Sequence, residues 1–550
     1  MIKVLSHKNK QMKYIKCKFL VGILFILYSC QIPKTKVPEE IAPFATPFGE
    51  FNFARPEFPD TVINIIDYGA KDGGEFMNTQ AINNAIRELS ASGGGKVVVP
   101  AGKWLTGPVI LLSNVNLHLE EEAELIFSQN FDDYLPAVLT NWEGSEVYSY
   151  SPFIYAFKQE NIAITGKGVL NGQGKPWWEH RKSKAFGNDR LREMNENEVP
   201  VNERCFDNLD NYLPPVFFGP LYCKNILLEG VKFMYGAFWT INPSFCENLI
   251  VRDIYVLTEG EYGHTPNGDG INPNSCTNVL IEYNTLDTGD DCITIKSGRN
   301  KDGRRIGMPS KNILIRHNVG LRGHGGVVIG SEMSGGVENV YAHDCEFYGT
   351  DRVVRLKTGR GRGAYIKNCW FKDMKADTIE REAVRIFMLY GEYRDRLPVK
   401  DVDDGTPIIE NIHIENISCN YTKRNIISII GIPEMPVQNV SIKNVQLFGE
   451  KGIEISDAKG IQMENISVGN QKGSLVSISY SDSITINGIS VKETDENEIP
   501  FIFNDATNLS MQNLVTNISG QLVSITGNSR NIEFDKSIPE KKVGIISQQD

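Results

Sequence analysis

Two aspartates, Asp290 and Asp291, stand side by side in the stretch LDTGDDCITIKSG. Adjacent carboxylates repel each other and add nothing to fold stability by themselves, so the pair calls for a chemical use. Asp269 lies 21 residues before Asp290, in NGDGINPNS, and His324 lies 34 residues after it, in RGHGGVVIGSE. Another 31 residues on come Arg355 and Lys357, in RVVRLKTGRGRG. Cleaving a glycosidic bond needs one protonated and one ionised carboxyl group. Clustered carboxylates supply both, because like-charge repulsion raises one of their pKa values. An arginine and a lysine two apart on a strand point the same way and together suit an anionic ligand. Taken singly, each residue has a plainer reading: a solvated turn, a surface histidine, an exposed strand face. They make a site only if the fold brings distant segments to one place.

The chain carries a repeat that would do so. Asn followed by Ile, Val or Leu recurs at 161, 225, 248, 278, 312, 339, 411, 439, 508 and 531, each time opening a short run with apolar residues at every second position. NILLEGV, NLIVRDI, NIHIENI and NVSIKNV are examples, and that alternation is strand periodicity. A period of 20–50 residues implies stacked units. Each unit here has room for about three short strands and their turns. The expected fold is all-β, a right-handed parallel β-helix in which each repeat is one coil. Asn recurs because it tolerates the left-handed backbone of a tight turn, and its amide can bond the Asn of the next coil. Adjacent parallel strands lie about 4.8 Å apart, so Asp269, Asp290, Asp291, His324, Arg355 and Lys357 should line one patch across about four coils. Gly289 should let both members of the Asp pair reach solvent, and glycines 323, 325 and 326 should leave space above His324.

The stack needs a cover at its end. NTQAINNAIRELSASGGG, starting at Asn78, places Ala81, Ile82, Ala85, Ile86 and Leu89 on one helical face and ends in a glycine run, which reads as an N-terminal capping helix. Ten cysteines invite a disulfide framework. Cys223, Cys246 and Cys276, however, each stand two residues before a repeat Asn, a fixed phase that predicts stacked, unpaired, buried thiols.

Composition narrows the classes further. With 550 residues and 41% hydrophobic content, the chain can bury a large core. A net charge of −11 argues against nucleic-acid binding. Lys13, Lys16 and Lys18 precede an apolar run over 19–28, too short to span a bilayer, which has the shape of an export signal. Ending in Ser29-Cys30, it resembles a bacterial lipoprotein signal whose cysteine is lipidated, with an ordinary secretory signal as the alternative. The expected protein is exported, as a periplasmic or outer-membrane lipoprotein or a secreted one, touching membrane only through a lipid at Cys30. The expected layout is a signal over 1–30, a Pro- and Lys-rich tether over 31–58, and one β-helix domain over 59–540. An insertion around 130–215, carrying Trp177 and Trp178, should wall one end of the cleft or form its rim.

At the site residues the sequence closely resembles the polygalacturonase family, glycoside hydrolase family 28. Four signatures carry the resemblance, in the family's order: Asn267-Gly268-Asp269, Gly289-Asp290-Asp291, Gly323-His324-Gly325 and Arg355-Leu356-Lys357. It extends over roughly 60–535 and includes DYGAKDGG, VVVPAGKWLTGP and GQGKPWW. Gly268 stands where the family has Thr, which removes a hydroxyl from the site. The resemblance implies a pectin-lyase-like solenoid that hydrolyses α-1,4-galacturonosyl linkages of pectin with inversion and without a metal or other cofactor. Asp290 would protonate the leaving oxygen, Asp269 and Asp291 would activate water, and His324 would orient the site. Asn267, Arg355, Lys357 and Tyr390, the last in MLYGEY, would bind the uronate substrate. Two rival readings stay open: a calcium-dependent pectate lyase on the same architecture, and a non-catalytic polysaccharide-binding β-helix.

Overall fold

Alternating apolar residues form strands here because each strand can bury one face against the interior of a solenoid. The computed structural model describes residues 36–183, 186–392 and 396–545, so the export signal and Cys30 lie outside the described residues. Three parallel sheets wind into a right-handed β-helix. In the first sheet, Ile226, Leu249, Val279, Ile313 and Val340 stand in register on successive coils. The same column continues through Cys369, Ile412, Val440, Ile461, Ile484, Leu509 and Ile532. In the third sheet, Ile241, Ile271, Ile293, Val327, Val354 and Val384 form the equivalent core column. These columns stack like on like, so one coil's apolar face covers the next.

The repeat asparagines behave as their positions suggest. Asn161, Asn225, Asn248 and Asn278 hold φ between +53° and +58°. Their amides form a ladder: Asn225 Nδ2 donates to Asn161 Oδ1 at 2.9 Å and Asn248 Nδ2 to Asn225 Oδ1 at 3.0 Å. Where the Asn is missing, Gly460 and Ser483 keep the left-handed turn, with φ of +70° and +59°. The eight described cysteines are free thiols, and Cys223, Cys246 and Cys276 are buried in one stack, the Cys223 N–H lying 3.4 Å from Cys246 Sγ. Helix α1 (Thr79–Ala91) buries Ala81, Ile82, Ala85, Ile86 and Leu89, the face expected of a cap.

Two expectations change. Residues 41–58 are not a free tether. A hairpin of Phe44–Thr46 and Gly49–Phe51 lies on the outer face of the first sheet. There Ile41, Phe44, Phe51, Phe53 and Phe58 cover Ala163, Leu227, Ile250, Leu280 and Leu314. Phe48 reaches Trp370, with ring centroids 5.7 Å apart, and Arg55 pairs with Glu229 at 2.8 Å. The cause is in the register. The outward column is apolar from Ala163 to Trp370 and would otherwise face water. It turns polar beyond, at Ser441, Gln462, Thr485 and Ser510, where no strap lies over it among the described residues.

The stretch 130–215 is not one insertion. Ile154–Phe157, Glu160–Gly166 and Val169–Asn171 pair in parallel as a regular coil, leaving two excursions on either side of it. The first is a hairpin of Val138–Trp142 and Ser145–Ser149; the second carries helices α2 (Lys175–His180) and α3 (Asn188–Glu196). Trp177 is a core residue of this region, packed among Phe131, Tyr134, Tyr150 and Tyr212. Between the third and first sheets of a later coil, Asn300–Ile306 forms a short helix, α4. Asp302 on α4 forms a buried pair with Arg204, 2.5 Å between NH1 and Oδ2, which locks the second excursion against the solenoid.

Candidate active site

The turn leading from the second sheet, which includes Tyr255–Leu257 and Thr285–Asp287, into the third carries most of the chemistry. Gly270 N–H donates to the Asp291 carbonyl and the next pair, Ile271 and Ile293, share register, so Asp269 sits beside Asp291 on the neighbouring coil. Val327 pairs with Val354 and Val328 with Arg355, which brings the His324 turn and the Arg355 strand onto the following two coils. A cavity of about 370 Å³ results, within the range of small-ligand pockets. Its lining includes all eight residues singled out from the sequence: Asn267, Asp269, Asp290, Asp291, His324, Arg355, Lys357 and Tyr390.

The three aspartates differ sharply in surroundings. Asp291 is buried, its side chain 1% exposed, against Lys357 Nζ at 2.6 Å and Arg355 NH1 at 3.3 Å. Burial opposes its ionisation, but Lys357, Arg355 and Lys296 overcome that and hold its carboxyl below the usual carboxylate range. The expectation that both members of the pair reach solvent therefore fails: Asp291 lines the cavity from beneath its two cations, and Asp290, 18% exposed, is the member open to solvent. Asp269 is also buried. Asn272 Nδ2 donates to its Oδ2 at 3.0 Å, while its Oδ1 has no hydrogen-bond partner among the described residues. Desolvation, with Asp290 and Asp291 nearby, pushes its pKa well above the usual range. The surroundings of Asp269 thus favour its protonated form and those of Asp291 the ionised one, a distinction that spacing alone does not make.

Asp290 Oδ1 lies 3.0 Å from His324 Nδ1 and also accepts from the Asp291 backbone N–H at 2.9 Å. That contact with Asp290 raises the imidazole's pKa, with burial working against it. The glycines around His324 do not open space above it. Gly326 lies over Phe347, whose ring would be 2.2 Å from a Cβ, so the residue lets the turn close onto the core. At Gly268 a Cβ would meet the Thr258 hydroxyl at 2.7 Å. Thr258 Oγ1 donates to the Gly268 carbonyl at 2.6 Å and accepts from the Gly289 N–H at 2.9 Å, tying together two signature turns. The hydroxyl absent from position 268 is thus matched by one arriving from Thr258. Tyr390 stands with its ring 5.7 Å from Lys357 Nζ.

Sequence reasoning missed much of the rest. Lys296 is fully buried between Glu332 Oε2 at 3.2 Å and Asp269 Oδ2 at 3.6 Å, and its ammonium lies 4.3 Å from the Trp239 ring. It shares the outward column of Lys357 through Gly330, a relation the coil period could have shown. Glu332, Arg299, Arg362 and Glu143 extend the ion network, and Arg181, Asn188 and Arg192 come from the second excursion. Seven cations and five carboxylates line the cavity, a positive pocket in an acidic protein. No group of three or more His, Cys, Asp or Glu is arranged to hold a metal ion among the described residues.

A solenoid cleft with clustered carboxylates, one in surroundings that favour its protonated form and one in surroundings that favour the ionised form, is the equipment of a glycosidase. Comparison with known proteins agrees. The chain belongs to glycosyl hydrolases family 28, whose family model matches residues 96–459. It is 38% identical to a structurally characterised hyperthermoactive exopolygalacturonase from Thermotoga maritima, over 72% of this chain and 89% of that one, with a TM-score of 0.65. It is 29% identical over 393 residues to a protein of Vitis vinifera described as a "probable polygalacturonase", covering 70% of this chain and 74% of the relative. It is 26% identical to an exo-poly-alpha-D-galacturonosidase of Dickeya chrysanthemi, over 74% and 71% of the respective chains.

Proposed function

We propose that the protein is an exo-acting galacturonan hydrolase that removes terminal residues from pectic chains or oligogalacturonides with inversion. The supporting observation is that groups from four distant segments face one cavity whose wall includes Glu143 from the first excursion and Arg181, Asn188 and Arg192 from the second. A cleft with such a wall suits a chain end. The similarity to an exopolygalacturonase and an exo-poly-alpha-D-galacturonosidase supports the same reading. Asp290, the aspartate open to the cleft, gives its proton to the leaving oxygen. Asp291, kept ionised by Lys357 and Arg355, and Asp269 flank the attacking water and take its proton. Burial favours a proton on Asp269, and a proton held there passes to Asp290 before the attack, so that Asp269 is ionised when it takes the water's proton. His324 orients Asp290, and Arg355, Lys357, Asn267 and Tyr390 meet the substrate around the scissile bond.

Incubation with trigalacturonate tests this reading against its rivals. Hydrolysis produces saturated sugars, with no new ultraviolet absorbance and no dependence on calcium or chelator. A lyase would yield an unsaturated, absorbing product, and a binding protein would yield none. We further propose that the chain is exported and anchored through Cys30, which the basic flank and apolar run before it support. Fatty-acid labelling in a bacterial host should be lost in Cys30→Ala.

A further inference from the structure

The cations of the cavity are nearly all committed to carboxylates. Arg192 and Arg299 pair with Glu143 at 3.0 and 2.5 Å, and Arg362 lies 3.4 Å from Glu332. Lys296 serves Asp269 and Glu332, while Arg355 and Lys357 serve Asp291. Arg181 is different: it has no ion pair among the described residues. Its NH2 donates to Asn267 Oδ1 at 2.5 Å, and its guanidinium lies 4.8 Å from the Phe186 ring and 5.8 Å from that of Phe238. Its NH1 is buried and has no hydrogen-bond partner among the described residues. A guanidinium stays charged in proteins, so a half-buried one without an anion is costly unless a ligand supplies the anion. Burial lowers its pKa, while Glu143 and Asp290 act against that without forming an ion pair with it.

A second orphan lies in the same wall. Asn188, the first residue of α3, lines the cavity with its Oδ1 buried and unbonded. One nitrogen of a cation and a neutral acceptor are therefore both left without a partner among the described residues, both on the excursion that walls the cleft. That pairing matches a sugar acid, which offers a carboxylate and hydroxyls on one ring.

We propose that Arg181 determines specificity by receiving the carboxylate of the terminal uronate, while Asn188 Oδ1 accepts a hydrogen bond from a hydroxyl of the same residue. This rests on the galacturonan reading and deepens it. The planar guanidinium suits a carboxylate bidentately, and the neighbouring Asn267 side chain holds it in orientation. A terminal residue that is methyl-esterified cannot neutralise Arg181 and leaves it buried without an anion, so the site rejects it.

The test compares kcat/KM for trigalacturonate with that for the same trimer carrying a methyl ester on the terminal residue. Wild type should prefer the free acid by roughly 100-fold or more. Arg181→Gln should lose about 100-fold on the free acid and only a few-fold on the ester, so the preference collapses. Arg181→Lys, which keeps the charge without the fork, should fall between. Asn188→Ala should weaken both substrates alike, by about tenfold. If Arg181→Gln does not fold, the Arg181→Lys ratio carries the test, with wild-type melting as its control. Equal losses on acid and ester in Arg181 variants would mean the residue only holds Asn267 in place, and would overturn the inference while the hydrolase reading stands. A wild type that cleaves neither trimer would instead bring down the parent reading, and the inference with it.

Discussion

The later coils and the coils that carry the site are built from the same repeat and used differently. Beyond Ile408 the strands are long and nearly continuous, Ile408–Ile430, Val437–Ser456 and Ala458–Ser479, with one coil laid directly on the next. Between Phe218 and Phe387 the third sheet is cut into pieces of three or four residues, such as Ile293–Ile295, Val327–Ile329 and Val354–Lys357. The turns between those pieces hold Asp269, Asp290, Asp291 and His324. The site coils also bury Asp269, Asp291, Lys296 and Lys357 in one ion network. Stacking supplies stability and register in both regions. Where the ladder is interrupted, charged groups project together into the cavity, and desolvating them costs stability.

Substitutions can separate the two roles. The largest expected effect is on turnover: Asp290→Asn should reduce kcat by roughly 10²–10⁴-fold, or more, while the melting temperature stays near wild type. Next come core truncations. Ile442→Ala in a plain coil should cost about 2–5 kcal/mol of stability and leave kcat unchanged. The same change at Ile293, equally buried beneath the Asp pair, should cost a similar amount and also lower kcat, because the register of the turn shifts. Equal effects on activity at both positions would erase the distinction between the regions.

A subtler prediction concerns pH. Asp269 has a raised pKa in the folded protein, so the native state holds its proton above the pH at which the unfolded chain releases it. Stability from this group therefore falls as pH rises from the ordinary carboxylate range through the raised value. Asp269→Asn should melt above wild type on the alkaline side, with the gap closing as pH falls, although it is inactive. Asp291 has the opposite sign: its depressed pKa adds stability above the ordinary carboxylate range, lost as pH falls below it. Thermal melts across pH read both. The smallest effect is expected at the ladder. Asn278→Ala should lose about 1–2 kcal/mol, since φ is +58° there, and Asn278→Gly should recover most of it.

Legibility in the sequence followed periodicity. The coil period brought the three aspartates, His324, Arg355 and Lys357 together before any coordinates, and the same phase marked the Asn ladder, the thiol stack and the capping helix. Groups on aperiodic segments escaped it. Arg181, Asn188 and Arg192 belong to an excursion whose path no repeat dictates. Lys296 was readable in principle, being on the outward parity of its strand, but a buried lysine is rare enough to be passed over. The strap over 41–58 looks like a tether by composition; its role emerges only from the apolar outward column it covers. The location of the cluster's proton depends on burial, which spacing does not report.

Proton NMR of the first products from hexagalacturonate examines catalysis and chain-end selectivity at once. Monogalacturonate should appear from the earliest time point, with its new anomeric centre initially in the β configuration, because an α linkage is cleaved with inversion. A ladder of intermediate lengths, an initial α anomer or an unsaturated ring would contradict a walled cleft in which Asp290 protonates the leaving oxygen while Asp269 and Asp291 direct water to the opposite face.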